Sequence, residues 1–435
     1  MDLCPPIIGV DESITSFDDI EFYLVSSIKC KASFKKNFFF IKFVSFSKIP
    51  MTKSILHGSA SLSTPLSTTS QLEGKQVLQY SGSISGGLMH GIGCLTYANG
   101  ELYEGEWHLG KRHGKGKYTY LDGGSYVGTW ENDRIHGTGI CFFSNGNRYE
   151  GNFEHGIIHG SGILYFADGD RYEGQFINAK MCGMGTYRYS NGDVYEGMWK
   201  DDKRHGKGTV TYCDEEGNVI EKYTGDFNEG LMQGRGVYYY ADGSIYDGEW
   251  KNSSMNGKGQ YTFSNGNKYE GEFVNDTKQG FGVLTYVSGD RYEGTWNDDV
   301  AHGKGTLYFS SGDKYVGDWK EAKKEGQGEL TYVNGDVYKG EWKSDRANGF
   351  GVLTYANKSK YEGEWVNDRR HGFGVFYAAN GDRYEGEFKN SRRHGKGKLI
   401  LADGHVLIGN WVDGLVSGPL QVQFNPNSVW ASSDI

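Results

Sequence analysis

The chain has 435 residues, 67 of them glycine and 6 proline, and a formal net charge of −9. With 15% aromatic residues it is too rich in large apolar side chains for an unfolded polymer, and its acidic balance excludes a generally basic nucleic-acid-binding protein. No apolar run approaches the ~18 residues of a membrane-spanning helix, and six dispersed cysteines without a C-x-x-C pair fit neither a zinc finger nor a disulfide-stapled domain; a reducing, cytoplasmic compartment and no cofactor are expected.

Residues 1–77 lack the periodicity of the remaining chain. The run Phe38 to Phe46, behind Lys29, Lys31, Lys35 and Lys36, is too short to span a bilayer. It is expected to form an edge strand or a disordered extension, with a membrane-surface anchor as the alternative. Met51 offers a second start site, and Ser59 to Gln71 reads as a flexible Ser/Thr-rich linker.

From residue 78 a repeat takes over. Tyrosines with glycine two residues on and an aromatic four residues on recur every 23 positions: Tyr103, Gly105, Trp107, then Tyr126, Gly128, Trp130, and onward to Tyr384. Tyr80 and Leu407 head degenerate units at the two ends, giving fifteen units in all. Within a unit the alternation has period two, so Tyr103, Gly105 and Trp107 share one face of a strand and Glu104 and Glu106 the other. Dipeptides such as Asn99-Gly100 and Asp122-Gly123 separate the units as turns. Each unit is therefore expected to be a β-hairpin, with aromatic rings lying on the glycines. The predicted fold is all-β, an elongated single-layer antiparallel meander on the order of 140 Å long. Five extra residues at 213–222 are expected to lengthen one loop and bend or soften the ribbon. Gly418-Pro419 is expected to end the last unit, because proline cannot donate to a ladder, leaving 420–435 as a tail.

The pattern Tyr-Glu-Gly-Glu-Trp at 103–107, the stretch 367–374 and the 23-residue period resemble the MORN repeat family across 78–419. That resemblance implies a scaffold of cytoskeletal or membrane-associated structures, often homodimeric. It also implies phospholipid binding, and a third possibility is a ciliary component similar to radial-spoke head proteins.

Other motifs carry less weight than the repeat itself. His113, Gly114 and Gly116 and their equivalents recur in most units. Histidines in successive units should lie about 9.6 Å apart, too far to share a zinc ion whose ligands lie at about 2.0–2.1 Å; a structural role is expected, with zinc shared between two chains as the exception. No P-loop occurs and no lone nucleophile stands out, so no enzyme activity is expected. Basic pairs Lys111-Arg112, Lys203-Arg204, Arg369-Arg370 and Arg392-Arg393 mark one loop edge and are the candidate contacts for anionic lipid. Residues 78–435 carry 38 Lys and Arg (46 minus 8) against 48 Asp and Glu (55 minus 7), so such binding would depend on that edge alone. A single layer has no second layer to bury its aromatic face, so curvature, a second chain or a bound partner is expected to cover part of it; Trp365, Phe388 and Trp411 are the expected dimer contacts.

Overall fold

The computed structural model describes residues 76–428; the Phe38 to Phe46 run, Met51, the Ser/Thr-rich linker and residues 429–435 lie outside that range. Thirty antiparallel strands, numbered β1 to β30 in chain order, make up the described part, with no helix among them. They fall into two compact units divided between Thr277 and Lys278. Within each unit every strand pairs with its neighbours in sequence, so each is a one-layer meander without crossovers.

Strands β3 (Leu102–His108) and β4 (Lys111–Thr119) show why the sequence folds this way. Tyr103 and Trp107 are buried on one face while Glu104 and Glu106 are exposed on the other. Gly105 pairs with Gly116, and the Tyr103 ring lies across both. A Cβ on Gly105 would come 2.6 Å from Tyr103 Oη, and one on Gly116 would come 2.6 Å from its Cε2 and Cζ. The hydroxyl reaches past the glycines and donates to the Glu106 carbonyl at 2.9 Å. The bare glycine pair is thus a seat for the ring, and the same seat recurs beneath Tyr126, Tyr149, Tyr172 and Tyr195.

Two turn types alternate. The Asn-Gly and Asp-Gly sites form loops of five residues, four between β2 and β3, where Gly100 has φ 91° and Asn99 Oδ1 accepts the Glu101 amide. The tight two-residue turns lie at the opposite edge, within each unit, at pairs such as Asn132-Asp133 (φ 49° and 68°). Positive φ at both central residues is the type I′ geometry that matches strand twist. Apart from Gly86-Gly87 and Asp413-Gly414 in the two end units, sequences such as Asn-Asp, Asp-Asp and Glu-Ala carry no strong hairpin signature, which is why the sequence alone does not reveal these turns.

The insertion is accommodated without interrupting the sheet. Strands β12 (Lys203–Cys213) and β13 (Val219–Asn228) run longer than their counterparts, stay paired to Cys213↔Val219, and close on a turn in which Asp214 accepts the Glu216 and Asn218 amides. Nor does Pro419 end the final unit: β30 (Leu415–Gln423) continues through it. At the matching positions Lys115, Phe350, Phe373 and Lys396 the amide donates to a glutamate side chain, so proline sacrifices a side-chain contact there. In that last unit Leu407 replaces the tyrosine and Leu420 replaces its glycine. The Leu420 side chain fills the vacated seat, with Cδ2 2.5 Å from where a Cβ on Gly409 would stand.

Candidate functional site

The aromatic face is closed by the chain itself. Tyr103 meets Trp107 of its own unit at 5.0 Å and Trp130 of the next at 5.3 Å, both edge-to-face; Tyr315 stands likewise between Trp319 and Trp342. Trp indoles anchor the stack by donating to glycine carbonyls, as Trp107 to Gly93 and Trp365 to Gly351. Such pairs contribute about 0.5–1.5 kcal/mol each beyond area burial. Of the covers expected for this face, neither a second chain nor a bound partner is needed to bury these rings. Trp365, Phe388 and Trp411 are 3%, 4% and 1% exposed within one chain, held by Tyr361 and Tyr384.

The basic pairs divide between the two faces. Lys111, Lys203, Arg369 and Arg392 are exposed, whereas Arg112, Arg204, Arg370 and Arg393 turn onto the aromatic side. Arg112 is buried, 4.4 Å from the Trp130 ring centroid and paired with Asp133 at 3.2 Å; Arg370 and Arg393 lie over Tyr361 and Tyr384. Apolar pairs at the same two positions of other units divide identically: Ile157 is exposed and Ile158 buried, Leu231 exposed and Met232 buried. Period-two alternation carried one strand further into the sequence would have separated them.

Carboxylates that the sequence did not single out staple adjacent hairpins along both edges. At the tight-turn edge Asp133, Asp202, Asp276, Asp299, Asp345 and Asp368 accept backbone amides of the preceding unit at 2.7–2.9 Å. At the other edge Asp170, Asp193, Asp290 and Asp313 accept amides twenty residues on. Burial raises the Asp202 and Asp368 pKa values against those amide bonds.

What remains accessible is the opposite face. Phe281, Phe350 and Phe373 are 57%, 57% and 58% exposed, each between two glycines, with Glu364 and Glu387 paired across from the latter two. In the first unit a shallow trench is floored by Gly116, Gly128, Gly139 and Gly151. Lys115, Thr129 and Thr138 wall one side, Val127 and Ile140 the other. His113 also lies on this face. Burial pushes the core tyrosine hydroxyls upward throughout, as at Tyr103 and Tyr195, and pushes the Cys141 thiol up to about 12, where it is no nucleophile.

No curated protein matches the chain. Among solved structures, the TCP domain of SAS-4 (dCPAP) in complex with a proline-rich motif of Ana2 (dSTIL) from Drosophila melanogaster is 15% identical, over 41% of this chain and 90% of that one, at a TM-score of 0.25. The TCP10 domain of Danio rerio CPAP in complex with a STIL peptide is 11% identical, over 60% and 94%, also at 0.25. These scores are too low to bear on function. The MORN repeat family model, in contrast, matches fourteen segments between residues 80 and 406; the fifteenth hairpin, with Leu407 for tyrosine and Leu420 for glycine, is not among them. Those matches fall on the hairpins whose tyrosines are seated on paired glycines, and the chain belongs to the MORN repeat family.

Proposed function

We propose that the protein is a non-enzymatic scaffold that self-associates and links membrane or cytoskeletal structures to partner proteins, making its contacts through the exposed face. One observation carries this reading: the rings that build the sheet are covered internally, while Phe281, Phe350 and Phe373 stand in solvent on the other side. Exposed aromatics on one face, Phe350 and Phe373 in successive units, favour a protein contact, and a surface repeated unit after unit suits multivalent binding. Membership of the MORN repeat family supports a binding role.

The test is the mass of the full 48.5 kDa chain by light scattering. A dimer is expected, and F350S/F373S is expected to lower the mass to that of one chain without loss of β structure by circular dichroism. A single-chain mass across the concentration range refutes self-association. A phospholipid-binding adaptor is the second reading, favoured by the exposure of Lys111, Lys203, Arg369 and Arg392. It requires liposome flotation that survives physiological salt and is lost when those four charges are reversed; Arg370 and Arg393 are left out because they cover rings.

A further inference from the structure

Six of the chain's twelve histidines fall between residues 90 and 159, and the fold places five of them in a single row. On the exposed face, seven consecutive strands each contribute one metal-binding type of side chain. They are His90 on β2 (Leu88–Tyr97), His108 on β3, His113 on β4, Glu131 on β5 (Ser125–Glu131), His136 on β6 (Arg134–Phe142), Glu154 on β7 (Arg148–Glu154) and His159 on β8 (Ile157–Tyr165). The register puts His90 opposite His108, one position beyond the pair Gly91↔Trp107, and His113 opposite Glu131, one beyond Gly114↔Trp130. Histidines of successive units are indeed too far apart to share an ion; the intervening strand supplies the missing ligand. The next strands carry Ile177 and Cys182, and the row ends.

The spacings suit a tetrahedral ion. Bonds of about 2.0–2.2 Å to imidazole nitrogen and carboxylate oxygen put two ligand atoms about 3.4 Å apart and two imidazole ring centres about 5.2 Å apart. In the structure His136 Nε2 is 3.7 Å from Glu131 and His159 Nε2 3.6 Å from Glu154. Ring centroids are 5.3 Å apart for His90 and His108, 5.7 Å for His108 and His113, and 5.5 Å for His136 and His155. The Nδ1 atoms of His90 and His136 are buried without a hydrogen-bond partner, so in both rings Nε2 is the nitrogen left for an ion. Among the described residues no three such side chains converge on one point, so each ion takes two protein ligands and completes its shell with water. Lys111 and Arg134, opposite His108 and Glu131 in the register, keep the affinity modest.

We propose that this row binds divalent transition-metal ions of the zinc type, each bridging side chains on neighbouring strands and so pinning the first hairpins of the sheet to one another. The experiment is calorimetric titration of the full chain with Zn²⁺ at neutral pH, beside two variants. H108Q/E131Q/H136Q/E154Q dismantles every close pair, the opposed His113 and Glu131 included; H302Q/H371Q removes two histidines whose neighbouring strands offer Asn297, Lys320, Val366 and Lys389 instead. Saturable binding in the wild type and in H302Q/H371Q, with loss in the quadruple variant, is the expected result, together with a Zn²⁺-dependent rise in melting temperature. No saturable binding, or binding unchanged in the quadruple variant, overturns the proposal. Alkylating the cysteines of the wild-type chain gives a second decision that needs no variant to fold: heat that vanishes on alkylation assigns the ion to thiolates and overturns the row as its site.

Discussion

At the scale of a residue, the glycine pair and its tyrosine are one structural device. Each ring lies where two Cβ atoms would be, so the aromatic core exists because glycine recurs two residues after each tyrosine and again on the partner strand. The prediction is asymmetric. Tyr149→Phe removes a hydroxyl donating to the Asn152 carbonyl at 3.1 Å and is expected to cost about 1 kcal/mol. Gly162→Ala removes no hydrogen-bonding group but sets a Cβ 2.5 Å from Cε2 and Cζ of that ring, and is expected to cost about 3 kcal/mol. Urea midpoints of the two variants compare them directly, and equal shifts would contradict the seat. The tyrosine, glycine and tryptophan of each unit were legible in sequence because they repeat at fixed spacing. That the ring lies flat over the glycines, closing the face without a second layer, required the packed structure.

At the scale of the hairpin, the staples decide how one unit holds the next. Lys278 is buried beside Asp299 at 3.0 Å and 5.4 Å from the Trp296 ring centroid, and burial lowers its pKa against the pull of Asp299. A lysine whose folded pKa lies below its unfolded value of about 10.4 destabilises the fold while charged. Stability should therefore rise as pH climbs through the folded pKa of Lys278, levelling off near the unfolded one. Met181 occupies the same place in another unit, its amide still bonded to Asp202, so K278M keeps the backbone staple. We expect K278M to be more stable by about 1 kcal/mol at neutral pH and to lack the alkaline rise; thermal melts between neutral and alkaline pH check both. The two-residue turns that present these aspartates went unread in sequence because Asn-Asp and Asp-Asp are weak turn signals, and positive φ is imposed on them by strand twist.

At the scale of the whole molecule, strands pair with sequence neighbours inside each unit, so stability is a sum of hairpins and the contacts between adjacent ones. Excising residues 246–268, one full period, joins Ile245 to Tyr269 in the same phase and strand direction. That variant is expected to fold with unchanged circular dichroism per residue. Removing residues 254–267 alone, a strand and its loop, sets two strands running the same way across a connection too short for parallel pairing, and should disrupt the neighbouring hairpins. If both deletions behave alike, the chain is not additive in this way.

The sequence by itself determined the class, the period, the hairpin and the composition of the core, because those depend on spacings along one strand and the alternation of its faces. Tertiary structure decided everything that lies across strands. It set Arg112 and Arg370 over rings of neighbouring strands, lengthened β12 and β13 where a longer loop was expected, and carried β30 through Pro419. It also brought His108 between His90 and His113. Residues 18 and 5 positions apart share no period in the chain, but neighbouring strands of a sheet lie only about 4.8 Å apart, and that closeness is invisible until the register is known.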